Sequence, residues 1–208
     1  MKIMIILLGF PKSGTTSFHE LFKKLGYKSY HWVKRNRYIG IIIRNNKLKS
    51  LPLLNGFKAN ECITQMDVCI SPERCYWPNI TDFKQIYFEN KDSVFILNKR
   101  NPEKLLQSMK AFKGNHSESM IERMYKYNPE LVSINKTDDG FIDLVKKHYT
   151  NVEEFFKSQP ESKFIVYDIE KDNIDKLTTY IDIKGLTRLP HLNKNAKNIS
   201  PEILNSNT

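Results

Sequence analysis

Short apolar runs alternate with longer amphipathic stretches along the 208 residues of this chain. Ile3 to Leu8 is continuously apolar and has the length and β-branched content of a buried strand. The residues after Ser17 place Phe18, Leu21, Phe22 and Leu25 on one helical face, and Gly26 suits the position after a helix end. Tyr27 to Trp32 is aromatic and reads as extended. Lys34 to Ser50 is basic, with Tyr38, Ile39 and Ile41 to Ile43 clustered, and reads as a helix ending before Pro52. Cys62 to Val68 is a second core strand with Asp67 near its C-terminal end, and Asp82 to Phe88 a short helix. Ser93 to Asn98 is the clearest interior strand. Asn101 then supplies an N-cap and Pro102 a first helical residue, so a helix runs to about Phe112.

Gly114 to Gly140 is polar and irregular, helical only around Met120 to Tyr127, and is either a lid over a site or a surface excursion. Phe141, Leu144, Val145, His148, Val152, Phe155 and Phe156 keep helical spacing over Asp139 to Lys157, which Pro160 closes. Phe164 to Tyr167 is a strand, Asn173 to Ile181 a helix, and the tail from Leu189 is polar. Strands alternating with helices predict an α/β fold, a three-layer sandwich around a mostly parallel sheet, within one domain spanning residues 1–208. Ligands bind such sheets at the C-terminal ends of the strands. That edge gathers the Gly9 loop, Asp67, Lys99-Arg100 and Tyr167-Asp168.

An apolar share of 40% and an aromatic share of 12% exclude a disordered chain. The net charge of +10 points to an anionic partner, although many of the lysines simply solvate the surface. Cys62, Cys69 and Cys75 are odd in number and fit neither a disulfide framework nor a zinc site, so reduced thiols are expected. The apolar run after Met1-Lys2 is too short for a signal peptide, and nothing reaches the roughly 18 apolar residues of a membrane span. A cytoplasmic location is expected, and the sequons at Asn79, Asn115, Asn135 and Asn198 read as coincidental.

The chemistry starts at Gly9-Phe10-Pro11-Lys12-Ser13-Gly14-Thr15-Thr16. An apolar strand, a glycine loop and a helix start make a phosphate cradle, because the loop backbone can approach an anion that the helix N–H groups favour. The glycines have P-loop spacing, but Thr15-Thr16 stands where a triphosphate loop has Lys-Ser/Thr, and the lysine sits inside the loop at Lys12. A second phosphate-type site pairs Arg100, a planar fork of donors, with Ser108, eight residues on and about two helical turns further. A ligand phosphorylated at two separate places would satisfy both.

These residues resemble the sulfotransferases that use 3′-phosphoadenosine 5′-phosphosulfate (PAPS). Pro11 to Thr16 is identical to that family's Pro-Lys-Ser-Gly-Thr-Thr motif, and Val94 to Ser108 is similar to its second motif, with Arg and Ser eight apart. Leu25 to His31, Phe164 to Asp168 and Pro190 to Asn193 are similar to softer family features. The resemblance implies that Pro11 to Thr16 hold the 5′-phosphosulfate, with Lys12 on the oxygen bridging phosphorus and sulfur. It implies that Arg100 and Ser108 hold the 3′-phosphate and that Tyr167 lies near the adenine. It also implies no metal, release of adenosine 3′,5′-bisphosphate, and a hydroxyl or amine acceptor on a carbohydrate, another small molecule or a protein side chain. Family members take their base from the strand before the Arg motif, which here indicates Asp67, with His31 as the alternative. Two features depart from the pattern. Ser17 stands where small-molecule members have a tryptophan, and in place of a C-terminal Arg-Lys-Gly there are Lys194 and Lys197.

Two other readings stay open. A P-loop nucleotide kinase would want a lysine at the Thr15 position and an acidic residue for Mg²⁺ after an apolar strand. A non-catalytic nucleotide- or nucleic-acid-binding protein suits the charge, but the intact Lys12 loop and Arg100/Ser108 pair weigh against it.

Overall fold

The computed structural model describes residues 3–128 and 136–190. The strands are β1 (Ile5–Leu7), β2 (Lys28–His31), β3 (Val33–Lys34), β4 (Arg37–Tyr38), β5 (Glu61–Gln65), β6 (Val68–Cys69), β7 (Cys75–Tyr76), β8 (Val94–Lys99) and β9 (Lys163–Asp168). The helices are α1 (Thr15–Lys24), α2 (Ile39–Leu48), α3 (Pro78–Thr81), α4 (Phe83–Glu89), α5 (Pro102–Ala111), α6 (Met120–Tyr127) and α7 (Asp138–Lys157). The main sheet runs β4-β3-β2-β5-β1-β8-β9, with its last five strands mutually parallel. A central first strand that opens into a glycine loop and a helix makes this an α/β fold of the P-loop NTPase-like kind.

Strand alternation builds the three layers. Ile5, Leu7, Val94 and Ile96 face α1 and bury Phe18, Leu21 and Phe22. Ile6, Leu8, Phe95 and Leu97 face the opposite layer of α2, α4, α5, α6 and α7. Because the parallel strands are covered on both faces, they read as unbroken apolar runs. On α7, Phe141, Val145, His148, Val152 and Phe156 are all buried, as their spacing predicts. His148 is a satisfied core histidine: its Nε2 donates to the Leu8 carbonyl at 2.8 Å, and burial lowers its pKa to about 4.

Most predicted elements stand within a residue or two of the expected bounds, and the departures have local causes. The helix expected from Lys34 starts only at Ile39. Arg35 and Asn36 take left-handed conformations (φ 49° and 62°), which turn the chain into the β3–β4 hairpin first. The segment expected as a helix over 173–181 is a 3₁₀ stretch, Ile174–Thr179. The expectation of reduced thiols is overturned by a Cys69–Cys75 disulfide. β6 and β7 pair antiparallel with these two residues opposite each other, a cross-strand contact that cysteine count and spacing do not reveal. Asn79 is only 2% exposed, and its side chain is spent inside the fold. Among the described residues, no helix is long and apolar enough to cross a membrane.

Candidate active site

The loop leaving β1 is held from three sides. Phe10 is fully buried, with its ring centroid 5.3 Å from His148 and 5.9 Å from Phe141, which anchors the loop in the α7 layer. Asn98, fully buried at the end of β8, braces both ends of the loop. Gly9 N–H donates to its Oδ1 at 2.9 Å, and its Nδ2 donates to the Ser13 carbonyl at 2.9 Å. Asn79 Nδ2 donates to the Gly9 carbonyl at 3.0 Å. Pro11 is buried, and the Ser13 hydroxyl turns back to the Phe10 carbonyl at 2.7 Å. Neither asparagine has a sequence signature beyond its place next to an apolar segment. The partners lie 70 to 89 residues away in the chain.

Lys12 and Gly14 are both left-handed (φ 68° and 79°), which curls the loop tightly into α1. No side chain caps that helix and its first turn holds no acidic residue, so its leading N–H groups are available to an anion. Arg100, just after β8, reaches the loop directly, with Nη1 donating to the Lys12 carbonyl at 2.8 Å. Its Nε is buried with no hydrogen-bond partner among the described residues. An orphaned guanidinium donor beside an uncapped helix start fits a phosphate group. Lys12 Nζ lies 4.2 Å from the Phe112 ring centroid, and burial, then the Arg100 charge, lowers its pKa.

The far side of the loop carries a second polar cluster at the ends of β2 and β5. Thr64 spends its proton on the Tyr30 carbonyl at 3.1 Å. His31 Nδ1–H therefore donates to Thr64 Oγ1 at 3.3 Å, and Nε2 is left to accept from the Thr16 hydroxyl at 3.4 Å. Burial, the neighbouring His19 and Lys12 together lower the His31 pKa to about 3, so the ring is neutral at any working pH. Thr15 Oγ1 donates to Gln65 Oε1 at 3.2 Å, and Gln65 Nε2 donates to Asp67 Oδ2 at 3.2 Å. Asp67 lies just beyond β5 and is 2% exposed. Burial raises its pKa to about 7, against the opposing pull of Gln65.

The structure therefore brings Lys12, Thr15, Thr16, Arg100, His31 and Asp67 to one edge of the sheet, connected through the loop. Ser108 is half-buried on α5, two helical turns beyond Arg100. Tyr167 is not among them. It is 2% exposed in the α1-side core, edge-on to Phe18 at 5.2 Å, with its hydroxyl donating to the Asp172 carbonyl at 3.1 Å. Lys194 lies outside the described residues. Gln65, Asn79 and Asn98 are the site residues that sequence reasoning missed. Among the described residues, no cluster of three or more His, Cys, Asp or Glu side chains could hold a metal ion.

The site is a glycine loop with a lysine inside it, between a central strand and an uncapped helix start, on a P-loop-like sheet. The sulfotransferase domain family model matches residues 4–198, and the chain belongs to that family. No curated protein sequence matches it significantly. Among solved structures, shikimate kinase from Bacteroides thetaiotaomicron is similar at 12% identity, over 80% of this chain and 86% of its own, with a TM-score of 0.46. Deoxyadenosine kinase from M. mycoides, solved with bound dATP, is similar at 18% identity, over 85% and 96%, with a TM-score of 0.36.

Proposed function

We propose that this protein transfers a sulfuryl group from PAPS to a hydroxyl or amine acceptor and releases adenosine 3′,5′-bisphosphate. The observation that supports this reading is that the Lys12 loop with the uncapped start of α1, and Arg100 with its orphaned donor, stand side by side on one sheet edge, joined by the Arg100 bond to the Lys12 carbonyl. Gly14, Thr15 and Thr16 would hold the 5′-phosphate through backbone N–H groups, with Lys12 beside the bridging oxygen. Arg100 and Ser108 would face the 3′-phosphate, with Lys194 and Lys197 of the tail as candidates to complete that site. PAPS supplies an activated sulfuryl group. The protein's tasks are to position it, to stabilise negative charge on the departing phosphate, and to take a proton from the acceptor.

Asp67 suits the last task better than His31. Both imidazole nitrogens are engaged by hydroxyls, and a pKa of about 3 makes the ring a poor base. A carboxyl with a pKa of about 7 is matched to neutral solution. Its working form is the carboxylate, so kcat/KM for the donor should rise with pH through about 7 and then level off. In Asp67→Asn that rise should vanish and the rate should drop by about 10²- to 10⁴-fold. A pH profile of unchanged shape in the variant would move the base elsewhere.

Calorimetry tests the donor. Adenosine 3′,5′-bisphosphate should bind without magnesium and more tightly than ATP. A magnesium-dependent preference for ATP would sink the proposal in favour of a phosphotransferase.

A further inference from the structure

Thr15 and Thr16 stand where a phosphate would sit, yet both hydroxyls turn their protons away from it. Thr16 donates to His31 and Thr15 to Gln65. The Thr15 orientation is imposed from a distance. An ionised Asp67 can only accept, so it demands the Nε2 side of Gln65. The opposite end of the same amide, Oε1, then faces Thr15 and demands its proton.

We propose that Thr15, Gln65 and Asp67 form a reversible hydrogen-bond relay that makes the proton on Asp67 control how many O–H donors the loop offers a bound phosphate. When Asp67 gains a proton it can donate, and the Gln65 amide turns over to present Oε1 to it. Nε2 then donates to Thr15 Oγ1, which frees the Thr15 O–H for the phosphate. Gln65 is thus a positioning residue. It touches neither substrate but sets what Thr15 can do.

The inference rests on the sulfuryl-transfer reading for the order of events. In transfer the acceptor O–H bond breaks, its proton goes to Asp67 and its electron pair forms the new bond to sulfur. The pair from the broken sulfur–oxygen bond stays on the departing phosphate. The reversed relay then aims the Thr15 O–H at that oxygen once the transfer is complete. Removing the acceptor proton and holding the departed phosphate are thereby linked, and the amide turnover favours the product complex over the reverse reaction.

The groups facing each end of the relay separate it from simple repulsion. Lys12, Arg100, His31 and His19 surround the phosphate end. At the other end burial acts on Asp67, and Gln65 is the side chain whose interaction is felt. An anion in the loop raises the Asp67 pKa through space whether or not Gln65 is present. The relay adds a part that needs both Gln65 and Thr15.

The experiment is a ¹³C-carboxyl NMR titration of Asp67 in the full chain, free, with inorganic sulfate and with adenosine 3′,5′-bisphosphate. It is repeated in Gln65→Leu and in the near-isosteric Thr15→Val. The anion-induced gain in proton affinity should be about tenfold greater in the wild type than in either variant, the worth of one charge-assisted hydrogen bond. An equal gain in all three proteins, or no gain with either anion, overturns the relay. A gain with sulfate but none with the bisphosphate keeps the relay and removes PAPS as the donor.

Discussion

Lys12→Ala should lower kcat by about 10²- to 10³-fold, the usual loss when a group placed against developing charge is removed. The proposed function gives the reason. Lys12 lies inside the loop rather than at the helix start, so its ammonium would approach a bound phosphate from the side. Burial, then the Arg100 guanidinium, lowers its pKa, and the same burial leaves less water to compete for the ammonium. Charge–charge attraction is stronger there than in bulk solution. Phe112, 38% exposed, covers the ammonium and limits the positions it can take. The effect should fall on kcat more than on donor binding, because in the proposed site Arg100 and the start of α1 would still hold the two phosphates. Melting temperature should change little, since the loop is secured by Phe10, Asn79 and Asn98 rather than by this side chain. The check is steady-state kinetics with bisphosphate calorimetry on the same preparation. A wild-type kcat would remove Lys12 from the chemistry.

The parts of the site legible in the sequence were the local ones. Gly9 to Thr16 carries its own pattern, because strand, loop and helix start are contiguous. The β8–α5 junction was legible through Asn101, whose side chain does accept from the Lys104 N–H at 2.9 Å. Asp67 and His31 were legible as polar residues at predicted strand ends. Their partners were not. Whether His31 serves as a base depends on Thr16 and Thr64, 15 and 33 residues away. Gln65 looked like an ordinary strand residue, because nothing in its neighbourhood announces Thr15, fifty positions earlier. Tyr167 shows the opposite failure. Its strand is where the pattern put it, but strand parity turns its ring toward Phe18 in the α1-side core and away from the loop. The Arg35-Asn36 turn escaped notice because two left-handed residues that are not glycine break a helical-looking run.

Gly9→Ala should be strongly destabilising. A β-carbon at Gly9 would lie 2.2 Å from the Asn98 carbonyl oxygen and 2.5 Å from its side-chain Oδ1. The first neighbour is backbone of β8, the strand hydrogen-bonded beside β1, so no rotamer change relieves the clash. Separating the strand ends would also break the Gly9–Asn98 bond and loosen the Asn98 bond to the Ser13 carbonyl. Overpacking together with buried groups left unpaired should cost about 3 kcal/mol or more. Asn98→Ala supplies the comparison. It removes the same two bonds without pushing the strands apart, and should cost about 2 kcal/mol. Urea unfolding measures both costs, and calorimetry with the bisphosphate reports whether the loop keeps its shape. The expected order is that Gly9→Ala is the less stable variant, while both lose bisphosphate affinity. If Asn98→Ala bound the bisphosphate as tightly as the wild type, the cradle would owe its shape to its own backbone and to Phe10. The bracing from β8 would then serve stability alone.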